Sequence, residues 1–181
     1  MKAIFTTILF LIPLISSAQK SPEKAAKLLG ADPIVIIDSV KASMDELAAI
    51  GEQNVASILI LKDKDAVQAY GPEGNNGAVV VQTKTFARKT YINFFRSVSP
   101  KYDSLFNVMK TDTAFRYIIN DKYKAEPDAG TLATIDKELF ISLTILTDEE
   151  LKKKYKITDK LIGIHIRSKA PSNLYHKRKK F

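Results

Sequence analysis

The stretch whose residue types and spacing could do chemistry is Tyr70-Gly71-Pro72-Glu73-Gly74-Asn75-Asn76-Gly77. Glycine-rich loops cradle phosphates when their backbone N–H groups converge and a helix follows. This loop lacks the lysine and Ser/Thr pair that closes a P-loop, and it leads into the β-branched run Ala78–Thr83. It therefore reads as a structural turn: Gly71, Gly74 and Gly77 permit positive φ or close backbone approach, and Asn76-Gly77 is a turn pair. The carboxylate groups Asp63-Lys64-Asp65 and Asp148-Glu149-Glu150 could serve acid–base chemistry or hold calcium. Both fall where helices are expected to start, and there they complement the helix dipole. The histidines are two, His165 and His176. His165 alternates with Ile164 and Ile166 and is expected on the exposed face of a strand, while His176 sits in a basic tail. No HExxH, GxSxG or SxxK pattern occurs. With no nucleophile–base pair and no metal-ligand set, the reading is a non-enzymatic protein without cofactor or metal.

The elements that position these residues follow from periodicity. Pro33 opens a strand over Ile34–Asp38, whose continuous β-branched run suggests burial on both faces. Ser43 and Glu46 have capping-box spacing for a helix over Met44–Ile50, stopped by Gly51. Val55–Leu61 is a second strand. Asp63 is expected to cap a helix that ends at Tyr70, with its ring over the sheet and Gly71 as the stop. Ala78–Thr83 is a third strand, with Val79 and Val81 on one face and Val80 on the other. Between Phe86 and Met109, Tyr91, Phe94, Phe95, Val98, Leu105, Phe106 and Met109 have helical spacing, interrupted at Pro100, with Asp103-Ser104 as a start signal. Such a stripe reads as a connector packed on the sheets rather than a partner-binding face.

Composition bounds the compartment. Lys2, the apolar run Ala3–Ile15 and Ser16-Ser17-Ala18 make a leader with a cleavage site before Gln19. The run is shorter than the roughly 20 apolar residues that span a bilayer. The chain holds no cysteine, which excludes disulfides, thiolate metal sites and a lipidated N-terminal cysteine. Cleavage would leave 163 of the 181 residues, enough to bury a core without disulfides. A bacterial exported protein fits these features, periplasmic or secreted and not a lipoprotein. The net charge of +8 is uneven: residues 33–84 carry 4 basic and 7 acidic side chains, residues 85–181 carry 20 and 11. A basic C-terminal half can attract anionic glycan or lipopolysaccharide. No nucleic-acid reading motif is present.

Residues 33–84 resemble the plug domain of TonB-dependent outer-membrane receptors, in the style of Bacteroidetes nutrient importers. The matching pieces are Ile36-Ile37-Asp38, Ser57-Ile58, Ile60-Leu61-Lys62-Asp63, Ala66, Tyr70-Gly71, Gly74, Asn76-Gly77 and Thr83-Lys84, in the family's order. The family's Asp-Gly turn is Asp38-Ser39 here, and its loop arginine is Glu73. The resemblance implies a plug-like α+β unit and a place beside envelope receptors. The remaining 97 residues are too few for the strands of a large transmembrane barrel.

A shift of 85 residues aligns Ser57, Ile60, Leu61, Asp63, Tyr70 and Lys84 with Ser142, Ile145, Leu146, Asp148, Tyr155 and Lys169 without a gap. Upstream, Ile36-Ile37-Asp38 resembles Ile118-Ile119-Asn120. Leu61 and Leu146 are then expected to be buried at matched strand ends, Asp63 and Asp148 to cap matched helices, and Tyr70 and Tyr155 to close them. Gly71, Gly74 and Gly77 become Lys156, Asp159 and Ile162, so the second loop must take another path.

The expected organisation is a signal peptide over 1–18, a polar, mobile lead-in over 19–32, and a plug-like unit over 33–84. A helical connector over 85–113, a degenerate second copy over 114–169 and a basic tail over 170–181 complete it. The fold class is α+β, two plug-like βαβαβ units with mixed sheets and short helices. The expected work is binding: a protein or small-ligand partner in the envelope, an outer-membrane receptor among them, or alternatively adhesion to anionic glycan or lipopolysaccharide.

Overall fold

The computed structural model describes residues 21–29, 31–123 and 129–169. The expected leader over 1–18 and the tail over 170–181, with His176, lie outside the described residues. The architecture is α+β, with two four-stranded mixed sheets.

The first sheet is built from β1 (Ile34–Ile37), β2 (Val40–Ala42), β3 (Val55–Leu61) and β4 (Ala78–Thr83), in the order β2-β1-β4-β3. β1 runs parallel to β4, and the β1/β2 and β3/β4 pairs are antiparallel. Helix α1 (Pro22–Lys27) and helix α2 (Met44–Ala49) flank one face, where Ala26, Val35, Leu47, Val79 and Val81 form a buried cluster. Helix α3 (Asp63–Tyr70) covers the other face through Ala66, against Ile34 and Ala78. β1 is thus covered on both faces, as its β-branched run requires. Ser43 and Glu46 close the capping box: the Ser43 hydroxyl accepts from the Glu46 N–H at 3.1 Å, and the Glu46 carboxylate accepts from the Ser43 N–H at 2.7 Å.

The lead-in and the strand count differ from the sequence reading. The lead-in is not simply a polar, mobile segment, because its Pro22–Lys27 part is helix α1 and buries Pro22, Ala25 and Ala26. Each unit also has an extra edge strand, so its order is ββαβαβ. β2 is reached through a hairpin turn in which Asp38 and Ser39 both have positive φ, 51° and 71°. Three residues are too short a run for alternation to reveal.

The second sheet contains β5 (Phe115–Ile119), β6 (Lys122–Tyr123), β7 (Phe140–Leu146) and β8 (Ile162–Ser168), in the order β6-β5-β8-β7. The pattern of parallel and antiparallel pairs repeats that of the first sheet. Register repeats too. Ile58 pairs Val81 and Leu143 pairs Ile166, each 85 residues on, and the bulge between Val55 and Ser57 recurs between Phe140 and Ser142. The turn Asn120-Asp121 again has positive φ at both residues, 48° and 61°.

Helix α4 (Lys84–Val98) and helix α5 (Pro100–Met109) join the sheets and pack on the second. Tyr91, Phe95 and Tyr102 share its core with Phe115, Tyr117, Ile164 and Ile166. Helix α6 (Ala129–Ala133) adds Leu132. Thr83 caps α4, its hydroxyl accepting from the Phe86 N–H at 3.1 Å. α5 starts earlier than Asp103-Ser104 suggested: Ser99 caps it, Pro100 takes the first turn, and Asp103 instead accepts from Arg96 of α4 at 2.5 Å. Among the described residues no helix is long and apolar enough to cross a membrane.

Candidate functional site

Asp38 sits at the hairpin turn and accepts from both the N–H and the hydroxyl of Thr83, at 2.7 and 2.8 Å. It therefore locks the end of β4 just where α4 begins. In the second unit Asn120 does the same for Ser168: its side-chain oxygen accepts from the Ser168 N–H, and its amide donates to the Ser168 carbonyl, both at 3.0 Å. An aspartate or asparagine serves here because it tolerates positive φ and carries a short acceptor.

The glycine loop coils as a 3₁₀ segment over Gly71–Asn76. Gly71 has φ 69° and ψ −156°, and Gly77 has φ 81° and ψ 175°, a region open essentially to glycine alone. Gly74 is buried against α3, where a Cβ would stand 2.3 Å from the Ala66 carbonyl oxygen. Asn76 is exposed and donates to the Asp32 carbonyl at 3.4 Å. Glu73 pairs with Lys41 of β2 at 2.7 Å, which holds its carboxyl below the usual range. Tyr70 closes α3, half-buried against Ile34, Ala66 and Ala78. The loop is thus braced by its own chain.

The capping expectations need correction. Asp63 is the first residue of α3, so the cap position falls to Lys62, which has no side-chain acceptor to offer. Asp148 likewise opens the short helix α7 (Asp148–Glu150) behind the true cap Thr147, whose hydroxyl accepts from the Glu150 N–H at 3.3 Å. Asp148 pairs instead with Lys152 at 2.6 Å. Leu61 and Leu146 end β3 and β7 as expected, but both are only half-buried, since those strands lie at sheet edges. Tyr155 ends the π-helical turn Leu151–Tyr155 that follows α7.

His165 also departs from expectation. Its side chain is only 11% exposed, covered by Asp121 and by the Tyr155 ring. One Asp121 oxygen gathers Lys154 at 2.8 Å, the Tyr155 hydroxyl at 2.9 Å and His165 Nε2 at 3.3 Å. The Lys154 and Tyr155 hydrogen bonds hold the Asp121 carboxyl down at about 2. Burial lowers the His165 imidazole, against the pull of Asp121 and with the help of Lys154 and Arg167. A histidine whose folded pKa is depressed stabilises the fold above its unfolded value, and the benefit is lost as pH falls through that value toward the folded one. For Asp121 the loss runs from the unfolded carboxylate value down to about 2. Thermal unfolding should therefore show a first fall in stability below about pH 6.5 that is absent in His165→Phe. An unchanged profile in that variant would remove His165 from the account.

Beside α4 lies an open cleft of about 490 Å³, lined by Lys84, Arg88, Arg116, Lys160, Asp112 and Asp159 among others. Lys84, the last residue of the plug-like motif, stands exposed at its mouth. Arg116 is buried and pairs with Asp159 at 2.6 Å, and Arg88 pairs with the buried Asp112. The second Asp112 oxygen accepts from Tyr91 at 2.5 Å and Tyr117 at 3.3 Å, and the Tyr102 and Tyr117 hydroxyls meet at 2.7 Å. Burial pushes all three phenols up, Tyr102 to about 12. The sequence reading placed Tyr91 in the packing stripe, did not single out Tyr102 or Tyr117, and missed the partner Asp112; an aspartate just past the end of a tyrosine-bearing helix was the available signal. Protonated phenols around a paired carboxylate form a closed network suited to fixing α4 and α5 on the sheet. Among the described residues no group of three or more His, Cys, Asp or Glu is placed to hold a metal.

Against known proteins, the chain is similar to the TonB-dependent receptor SusC of Bacteroides thetaiotaomicron, 23% identical over 137 residues. That alignment takes in 66% of this chain and 13% of the receptor, and it supports a distant relation to that family. No family model matches the sequence. No solved structure matches it.

Proposed function

We propose that this chain is a non-enzymatic, plug-like binding module of the bacterial envelope that associates with a TonB-dependent outer-membrane receptor. The observation that carries the reading is the similarity to SusC over 137 residues. The ordered motif from Ile36 to Lys84 supports it, as does the glycine loop braced by its own chain. Export belongs to the same reading and rests on the leader-like residues before Gln19. The tagged protein, incubated with detergent-extracted outer membranes of a bacterium carrying a SusC-like receptor, should retain that receptor at roughly 0.5 M salt, where exposed charge pairs are largely screened. Retention no better than an unrelated tagged protein overturns the proposal.

A second reading, adhesion to anionic glycan or lipopolysaccharide, is favoured by Lys84 and Lys160 at the cleft, whose Arg88 and Arg116 are paired with Asp112 and Asp159. Its signature is different: lipopolysaccharide binding that collapses as salt is added, with no receptor retained.

A further inference from the structure

The four sheet edges of this protein are not protected alike. β2 and β6 are three and two residues long and each carries a lysine, Lys41 and Lys122. Short, charged edges resist pairing with other chains. The opposite edges, β3 and β7, are seven residues each, VASILIL and FISLTIL, with no charged residue and no proline. Leu59 on β3 and Ile141 on β7 are 54% and 55% exposed. Along β3 runs a groove of about 410 Å³, lined by Val55–Ile60 together with Ala25 of α1 and Glu52. A groove between an edge strand and a helix is the setting in which proteins accept an added strand.

The charges at the strand ends decide what fits each edge. β3 is preceded by the exposed Glu52 and followed at once by the exposed Lys62. Antiparallel pairing with a second β3, centred on Ile58, sets Ser57 opposite Leu59, Ala56 opposite Ile60 and Val55 opposite Leu61. It also brings the Glu52 end of each strand beside the Lys62 end of the other. β7 is less self-complementary. Asp136-Lys137-Glu138 precede it and Asp148-Glu149-Glu150 follow it, so the same operation sets Glu138 against Asp148 and Asp136 against Glu150, with Lys137 against Glu149 between them.

We infer that β3 is an assembly edge on which a second copy of this chain adds its own β3, antiparallel and about a two-fold axis, joining two four-stranded sheets into one. An isologous contact of this kind closes at the dimer. It is independent of any receptor.

Glu52 and Lys62 flank a seven-residue strand of one chain. They are therefore about 20 Å or more apart, beyond the reach of a zero-length cross-link within one molecule. Light scattering on the purified protein should give a dimer mass, and carbodiimide treatment followed by peptide mass spectrometry should give a Glu52–Lys62 cross-link. Leu59→Lys sets a charge opposite Ser57 of the other copy and diagonal to the other new lysine. It should weaken the dimer at least about tenfold, the equivalent of 1.4 kcal/mol, while leaving circular dichroism unchanged. Val108→Lys, at a 78% exposed position on α5, should leave the dimer intact. A monomer at every concentration overturns the inference, as does a folded Leu59→Lys variant that remains a dimer. A ladder of growing polymers overturns it as well, because it would signal β3 pairing with β7 of the next copy. Should Leu59→Lys fail to fold, the cross-link in the unmodified protein decides: its presence supports the β3 pairing and its absence overturns it.

Discussion

Alanine at Gly77 is expected to cost the fold about 2–6 kcal/mol. Two terms add. Gly77 has φ 81° and ψ 175°, and a side chain held there costs about 1–3 kcal/mol in backbone strain. A Cβ would also stand 2.9 Å from the Leu61 carbonyl oxygen and 2.9 Å from Leu29 Cδ2, and overpacking of this kind costs about 1–3 kcal/mol more. Gly71 separates the terms. Its φ of 69° carries the strain, but nothing lies within 4 Å of its Cβ position. Gly71→Ala should therefore lose only about 1–3 kcal/mol. Urea titration of the two variants measures the difference. Equal midpoints would mean that Gly77 is not pressed between β3 and Leu29, just past α1, and the close seating of the loop would be lost. Gly77 also feeds the sheet: its carbonyl accepts from the Ile34 N–H at 3.0 Å, next to the first parallel pair of β1 and β4.

The sequence reading reached the loop and the long strands for the same physical reason. β3 and β4 were bounded by polar or glycine residues and were long enough for their pattern to show, and they match to the residue. The capping box of Ser43 and Glu46 was legible because it is a local device with fixed spacing. What escaped was decided by tertiary contact. α1 is short and polar in sequence, yet Ala25 and Ala26 are buried because the first sheet needs cover there. His165 alternates correctly for an outer face, but Asp121 and Tyr155 close over that face. Asp112 collects hydroxyls from α4 and β5, which no local pattern brings together. Helix capping failed by one residue at Asp63 and Asp148, since acidic first turns and true caps share the same neighbourhood.

The repeat can be tested at one pair of positions where the two units solve the same packing problem with opposite sizes. In the first unit, helix residue Ala66 meets strand residue Ala78, and both are fully buried. Eighty-five residues on, the pair is Leu151 and Gly163. Leu151 is fully buried against Ile118, as Ala66 lies in the cluster that includes Ile36, and it fills the space that Gly163 leaves. A Cβ on Gly163 would come within 2.6 Å of Leu151 Cδ2 and 3.0 Å of Leu146 Cβ. Gly163→Ala should thus destabilise by about 1–3 kcal/mol through overpacking, and Leu151→Ala by about 2–5 kcal/mol through the cavity it opens. The double variant rebuilds the alanine pair of the first unit. It should be more stable than the two losses predict, with a coupling of about 0.5–3 kcal/mol in a denaturant-based double-mutant cycle. The reverse exchange checks the other unit: Ala66→Leu should be tolerated better when Ala78→Gly accompanies it. Strict additivity at both sites would mean that helix and strand do not share one packing volume. The shared strand order, register and turn lock would then stand without a shared packing pair. Coupling of the same sign at both sites would make the size exchange a compensated change within one shared design, because two unrelated sheets have no reason to place their interchangeable pair at the same two positions of the same helix and strand.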